Sequence, residues 1–123
     1  MKTDKQKMGN IGEDMAVEFL QKKGYKIIER NFQHNKYELD IVCQDKNELV
    51  IVEVKTVRVP EFGSGEARIS KKKQESIFKG SYAFLDRRPR FAGMDVRFDV
   101  ICIKLNCYPA KINHHKAAFW QSW

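Results

Sequence analysis

The chain has 123 residues, of which 42% are hydrophobic and 32% charged, and 23 lysines and arginines outnumber 16 aspartates and glutamates to give a net charge of +7. This composition excludes a disordered chain, because it supplies enough apolar side chains for one core. Apolar runs such as residues 49–52 reach four residues, against the roughly 20 of a membrane-spanning helix. Residues 1–7 lack the apolar core of a secretory signal, so we expect a single cytoplasmic domain over 1–123.

The first half of the chain predicts one helix and three strands. Apolar side chains recur at three- and four-residue steps, which predicts an amphipathic helix over residues 10–23 that ends at Gly24. Three stretches rich in β-branched and aromatic residues predict strands over 25–31, 37–43 and 48–56. Turn-forming residues at 45–47 indicate a hairpin between the last two. The third strand is apolar on both faces as far as Val52, which is typical of a central strand.

The second half begins with residues 57–68, which have little periodicity and contain glycine and proline, so we expect a mobile loop there. Ser70 is a suitable N-cap for a second helix that reaches about residue 86. The inward-facing residues of this helix are predicted to be Ile77, Phe78, Tyr82 and Leu85. A connector leads to a long strand over 95–105, and the tail predicts a short fifth strand and a last turn. The order α-β-β-β-α-β predicts an α/β fold with a central mixed sheet flanked by helices.

The positive charge is concentrated in one part of the chain. Between Arg68 and Lys104 there are ten lysines and arginines and four acidic residues, and the densest clusters are at 71–73 and 87–90. Such a stretch suits contact with phosphate backbones, and a basic surface that only keeps the protein soluble is the alternative. The three cysteines and three histidines do not have the spacing of a structural zinc site, so none is predicted.

Carboxylates cluster on the second and third predicted strands. Strand alternation should put Glu38 and Asp40 on one face of the second strand, and Glu53 and Lys55 on one face of the third. Burying these charges without partners would cost several kcal/mol, so a divalent metal held by Asp40 and Glu53 is one explanation. The alternative is a Glu53–Lys55 ion pair at a strand end that faces solvent.

A third acid lies on the first predicted helix. On a helical wheel Glu13 borders the apolar face, beside Ala16 and Leu20, so its side chain can reach the sheet. An exposed helix carboxylate is the alternative for this position.

Several short motifs occur in a characteristic order along nearly the whole chain. They are Gly9-Asn10-Ile11-Gly12-Glu13-Asp14, Gly24-Tyr25, Arg30-Asn31, Glu38-Leu39-Asp40, Val52-Glu53-Val54-Lys55-Thr56, Lys73-Gln74, Arg97-Phe98-Asp99-Val100, Ile112-Asn113-His114 and Ala118-Phe119. As a set they resemble the bacterial YraN-like family of uncharacterised proteins, which is similar to archaeal Holliday-junction resolvases and to the PD-(D/E)XK nuclease superfamily. The chain departs from that family at Tyr37, where glycine is usual.

The resemblance implies a restriction-endonuclease-like core with Asp40, Glu53 and Lys55 in the signature positions and Glu13 as a helix-borne acid. It implies that Asp40, Glu53 and the main-chain carbonyl of Val54 hold Mg²⁺ or Mn²⁺ against the scissile phosphate, and that Lys55 orients the attacking water.

Further residues acquire expected roles from the same resemblance. Lys73 and Gln74 would grip a neighbouring phosphate at the start of the second helix. Lys71 and Lys72 would attract the DNA backbone, with a solvated helix face as the alternative. His114 matches the family tail, but a packing or hydrogen-bonding histidine is the alternative there.

Two functions of different class follow. The first is a metal-dependent endonuclease that hydrolyses phosphodiester bonds in branched or structured DNA, and the complete set of acids favours it. The second is a non-catalytic nucleic-acid-binding module on the same fold. Resolvase-like relatives act as dimers because two strands must be cut, so the resemblance also implies a homodimer.

Overall fold

The computed structural model describes residues 4–57 and 65–121, and of residues 4–9 the backbone alone. Two long helices and five strands make up these residues, together with one short 3₁₀-helix. In chain order they are α1 (Asp4–Lys22), β1 (Lys26–His34), β2 (Tyr37–Asp45), β3 (Glu48–Val57), α2 (Lys71–Arg87), the 3₁₀-helix (Pro89–Phe91), β4 (Asp95–Lys104) and β5 (Lys111–Phe119). None of the helices in the described part of the chain is long and apolar enough to cross a membrane.

The strands form one mixed sheet in the order β1-β2-β3-β4-β5. Neighbouring strands are antiparallel except β3 and β4, which are parallel and are connected through α2. The predicted α/β fold is confirmed, and so is the central position of β3. Three predicted bounds are wrong: α1 begins at Asp4 instead of residue 10, β1 ends at His34 instead of residue 31, and β5 is a full nine-residue strand instead of a short one. The loop predicted over 57–68 lies partly outside the described residues, while Val57 itself ends β3.

The sheet separates two apolar clusters, and one helix covers each face. Alternate residues of β3 supply both clusters, which explains why this strand is apolar on both sides. On the α1 face the cluster includes Ala16, Leu20, Ile41, Val50, Val52, Ile101 and Ile103. On the α2 face it includes Leu39, Val42, Leu49, Ile51, Ile77, Phe84, Val100 and Cys102. The chain thus has one sheet with a core layer on either side.

The predicted inward face of α2 is correct in part. Ile77 and Phe78 are buried, but Tyr82 is 49% exposed, and Phe84, which the prediction omitted, is fully buried. At 3.6 residues per turn, Ile77, Ser81 and Phe84 form the middle of the stripe that faces the sheet, and Tyr82 lies to one side of it. The Tyr82 hydroxyl instead donates a hydrogen bond to Gln121 beyond the end of β5.

Candidate active site

Asp40 lies where β2 and β3 separate. The ladder between these strands runs from Asp45 opposite Glu48 to Ile41 opposite Val52 and ends there, although β3 stays paired with β4 as far as Val57. Asp40 Oδ2 accepts a hydrogen bond from the backbone N–H of Val54 at 2.9 Å. The side chain of Asp40 therefore satisfies the backbone donor that the end of the ladder leaves open.

The alternation of side chains along β2 is interrupted at the same point. Leu39 packs in the α2-face cluster and Ile41 in the α1-face cluster, although two residues apart they should share a face. The expected common face of Glu38 and Asp40 depended on unbroken alternation, so this structure does not support it. Glu38 is exposed and lies opposite Gln33 on β1.

Glu53 is the acid that the structure brings into contact with Asp40. It stands on β3 one residue beyond the last β2–β3 pair, and its side chain is 12% exposed. Burial raises the pKa of the Glu53 carboxyl to about 8, and the negative charge of Asp40, in hydrogen-bond contact with it, contributes to the rise. The Lys73 ammonium, 3.7 Å away, opposes this effect. Burial and the charge of Asp40 therefore favour the protonated form of Glu53 when no cation is bound.

Glu13 approaches the same region from α1. Its side chain is buried, and Arg30 Nε donates a hydrogen bond to its Oε1 at 3.3 Å. Burial raises the pKa of Glu13, and the charge of Asp40 adds to the rise, so the two acids lie close enough to interact. The preceding residue is Gly12, where an added Cβ would lie 2.8 Å from the methyl group of Thr56. The glycine allows α1 to come close to β3 and brings Glu13 to the sheet.

Lys55 is held by main-chain carbonyls. Its Nζ donates hydrogen bonds to the carbonyl oxygens of Glu66 at 2.8 Å and Arg68 at 2.9 Å. Among the described residues, the ion-pair partner of Glu53 is Lys73 and not Lys55, so the alternative of a Glu53–Lys55 pair is wrong. Lys55 thereby ties the segment 65–68 to the end of β3.

The start of α2 presents the predicted basic residues in different ways. Ser70 caps the helix as predicted, because its Oγ accepts the backbone N–H of Lys73 at 3.2 Å. Lys71 and Lys72 are exposed, whereas Gln74 Nε2 donates to the Ile69 carbonyl at 2.9 Å. Of these residues, Lys73 is the one in contact with the acids.

His114 lies on the α1 face of the sheet, in a separate polar network. Its Nε2 is 2.7 Å from Asp99 Oδ2, and Arg97 pairs with the same carboxylate at 2.9 and 3.0 Å. Burial alone would raise the pKa of Asp99, but the hydrogen bonds from His114 and Arg97 outweigh it and hold the pKa below its usual value. The ring of His114 also packs edge-on against Phe19 and Tyr25. These contacts are those of a packing and hydrogen-bonding histidine.

The sequence analysis does not predict a second group of side chains that could bind a metal. This group consists of Glu66, Cys102 and His115, each of which has one ligand atom within 4.8 Å of those of the other two. The three residues are far apart in the chain, and no short motif connects them. Cys43 and Cys102 are both buried, and burial raises the pKa of the Cys102 thiol to about 11.

Comparison with known proteins places the site within a recognised family. The sequence model of the "Uncharacterised protein family UPF0102" matches residues 12–103, which contain Glu13, Asp40, Glu53 and Lys55. The chain is 43% identical over 113 residues to a UPF0102 protein of Syntrophomonas wolfei, covering 91% of this chain and 96% of that protein. It is 39% identical over 115 residues to a UPF0102 protein of Flavobacterium johnsoniae, covering 92% and 94% of the two chains. A UPF0102 protein of Sulfurihydrogenibium sp. is also 39% identical over 116 residues, covering 94% and 96%.

Proposed function

The chain belongs to the uncharacterised protein family UPF0102, and within this family we propose that it is a metal-dependent endonuclease that hydrolyses phosphodiester bonds in branched or structured DNA. We also propose that the core of the protein has the fold of the PD-(D/E)XK nucleases and that the active form is a homodimer. One observation carries the proposed activity: the Asp40 and Glu53 carboxyl groups are in contact where the pairing of β2 with β3 ends, with Lys73 beside them.

The donor set of this site fits a hard divalent cation. Two carboxyl groups in contact, one of them with a pKa raised to about 8, repel each other when both are ionised, and a cation between them removes that repulsion. Asp40, Glu53 and the main-chain carbonyl of Val54 would hold Mg²⁺ or Mn²⁺. When bound, the ion lowers the pKa of a bound water and offsets negative charge on the phosphate.

The protein's own side chains have distinct tasks in this proposal. The hydrogen bond from the Val54 N–H fixes the orientation of the Asp40 carboxylate. Lys55 lies on the same strand as Glu53, and two of its three N–H donors bind carbonyls, which leaves the third to orient the attacking water. Lys73 and the start of α2 would bind a phosphate next to the scissile one. Arg30 holds Glu13 at the edge of the site.

The basic stretch and the buried carboxylates, taken together, favour an endonuclease over a module that only binds nucleic acid. The basic stretch from Arg68 to Lys104 suits a nucleic-acid backbone, and either function would use it. A module that only binds has no need of buried carboxylates beside the phosphates, because they repel the ligand. The engagement of Lys55 by two carbonyls is the observation that favours a binding module with an idle site.

The test is a cleavage assay with Mg²⁺ or Mn²⁺ on four DNA substrates: a four-way junction, a flap, a plain duplex and a single strand. We expect metal-dependent cutting, strongest on the junction or flap. Asp40→Asn and Glu53→Gln should each reduce it by more than roughly 100-fold while binding measured in a chelator is retained.

Glu38→Gln is the matched control, because it removes an exposed carboxylate from the same strand as Asp40. This variant should cut as the wild type does. Binding of DNA by the wild type without cutting of any substrate in either metal would refute the endonuclease and support the binding module.

A further inference from the structure

We propose that Glu66, Cys102 and His115 form a binding site for a zinc-like transition-metal ion, separate from the pair of acids at Asp40 and Glu53. The ligand atoms of the three side chains lie within 4.8 Å of one another. Three ligands placed tetrahedrally around Zn²⁺ at ordinary bond lengths are roughly 3.3–3.8 Å apart, so small side-chain movements suffice to close the site.

The sheet register explains why these residues meet. Cys102 on β4 lies opposite Asn113 on β5, and His115 is two residues further along β5 on the same face as Asn113. Glu66 covers this face: its Oε1 is 2.7 Å from His115 Nε2 and accepts the Asn113 amide at 2.8 Å. Its carbonyl accepts the Cys102 thiol at 3.4 Å. The pairing of β4 with β5 therefore brings Cys102 and His115 together, and the segment 65–68 adds Glu66.

Burial and orientation distinguish this group from a chance meeting of surface residues. The side chain of Glu66 is 2% exposed, and Cys102 is fully buried. The amide of Asn113 orients the Glu66 carboxylate, as the partners behind metal ligands commonly do. His115 is 36% exposed and gives the site its access to solvent.

The donor types select the metal. A thiolate, an imidazole and a carboxylate together suit Zn²⁺ and related ions, whereas Mg²⁺ takes oxygen ligands. A cavity of about 620 Å³ adjoins the group and is lined by Glu66 and His115, with Gln74 and Phe119 on its walls. It leaves room for water or a small anion as the fourth ligand, as in zinc sites with an open position.

A metal here would also affect Lys55. The carbonyl of Glu66 binds Lys55 Nζ, and the side chain of the same residue would bind the ion. Holding Glu66 from both ends fixes the segment 65–68 over the end of β3.

The probe is Co²⁺, added to the untagged, chelator-treated full chain. With excess Mg²⁺ present to occupy the site at Asp40 and Glu53, we expect one Co²⁺ per chain, a thiolate-to-cobalt charge-transfer band in the near ultraviolet, and intense visible bands of tetrahedral geometry. Zn²⁺ should displace the ion, and excess Mg²⁺ should not. Absence of the charge-transfer band, or displacement by Mg²⁺, would overturn the proposal.

Substitutions test whether the thiolate-to-cobalt band arises from Cys102 and its neighbours. Cys102→Ser should abolish it, whereas Cys107→Ser, which alters a cysteine outside the group, should retain it. His115→Ala and Glu66→Gln should each weaken Co²⁺ binding at least tenfold. Because His115 is partly exposed, its variant keeps the test valid if Cys102→Ser does not fold. Unchanged Co²⁺ affinity in His115→Ala would refute the site.

Discussion

The raised pKa of Glu53 predicts an unusual dependence of stability on pH. The carboxyl titrates near 4.5 in the unfolded chain and near 8 in the folded protein, so the folded state holds a proton that the unfolded state has released. The stability this group contributes is therefore full below pH 4.5 and is lost as the pH rises through about 8. At 1.36 kcal/mol per pH unit, the interval corresponds to a loss on the order of 4–5 kcal/mol.

Glu53→Gln removes this titration while keeping the shape of the side chain. Relative to the wild type, the variant should gain stability steadily between pH 4.5 and 8, and the gain should level off above the folded-state pKa. Urea denaturation of both proteins at several pH values in a chelator measures the difference, and other titrating groups cancel in it. Mg²⁺ at pH 8 should stabilise the wild type and should not stabilise the variant, because the ion takes the place of the proton.

Glu38→Gln again serves as control, because it makes the same replacement at an exposed carboxylate of β2. A difference for Glu53→Gln that stays flat across this pH range would refute the reasoning, because it would mean that the folded protein does not hold a proton on Glu53. Equal stabilisation of wild type and Glu53→Gln by Mg²⁺ would locate the ion elsewhere.

Three further predictions follow from single contacts. Lys73→Ala should reduce both DNA affinity and cleavage, because the Lys73 ammonium lies beside the acids. Lys72→Ala should reduce DNA affinity alone, because Lys72 is exposed, and binding and cleavage assays at several salt concentrations measure both effects. Asp99→Asn should reduce the free energy of unfolding by about 1.5–3 kcal/mol, measured in urea, because Arg97 and His114 lose a buried carboxylate partner while Arg97 keeps Asp45 and Glu48. Gly12→Ala should cost at most about 2 kcal/mol in the same assay, since the new methyl group would lie 2.8 Å from that of Thr56 and the gain in helix propensity offsets about 1 kcal/mol of that overlap.

The order of the elements could be predicted because periodicity reports which side of each element is buried. The double-sided apolar pattern of β3 predicted its central place, and Ser70 predicted the start of α2. The bound of α1 was less accurate, because the helix begins at Asp4 instead of residue 10.

The candidate site could be predicted by residue type but not by partner. The carboxylates were recognised from their positions on adjacent strands, yet the contact of Lys55 with two carbonyls depends on the path of the segment 65–68. The interrupted alternation at Asp40 depends on where β2 and β3 separate, which is a property of the assembled sheet. The group at Glu66 and His115 depends on the β4–β5 register, for which short-range spacing gives no signal.

The net charge of the side chains around Asp40 and Glu53 gives a physical reason why the proposed nuclease would need a metal ion. Four carboxyl groups and two cationic side chains interact at this end of the sheet: Glu13, Asp14, Asp40, Glu53, Arg30 and Lys73. In formal charges the group carries one net negative charge with Glu53 protonated and two with Glu53 ionised. Exchange of that proton for a divalent cation brings the net charge to zero, which removes the repulsion of a phosphate. Metal binding and substrate binding should therefore reinforce each other at this site, because each supplies the charge that the other requires.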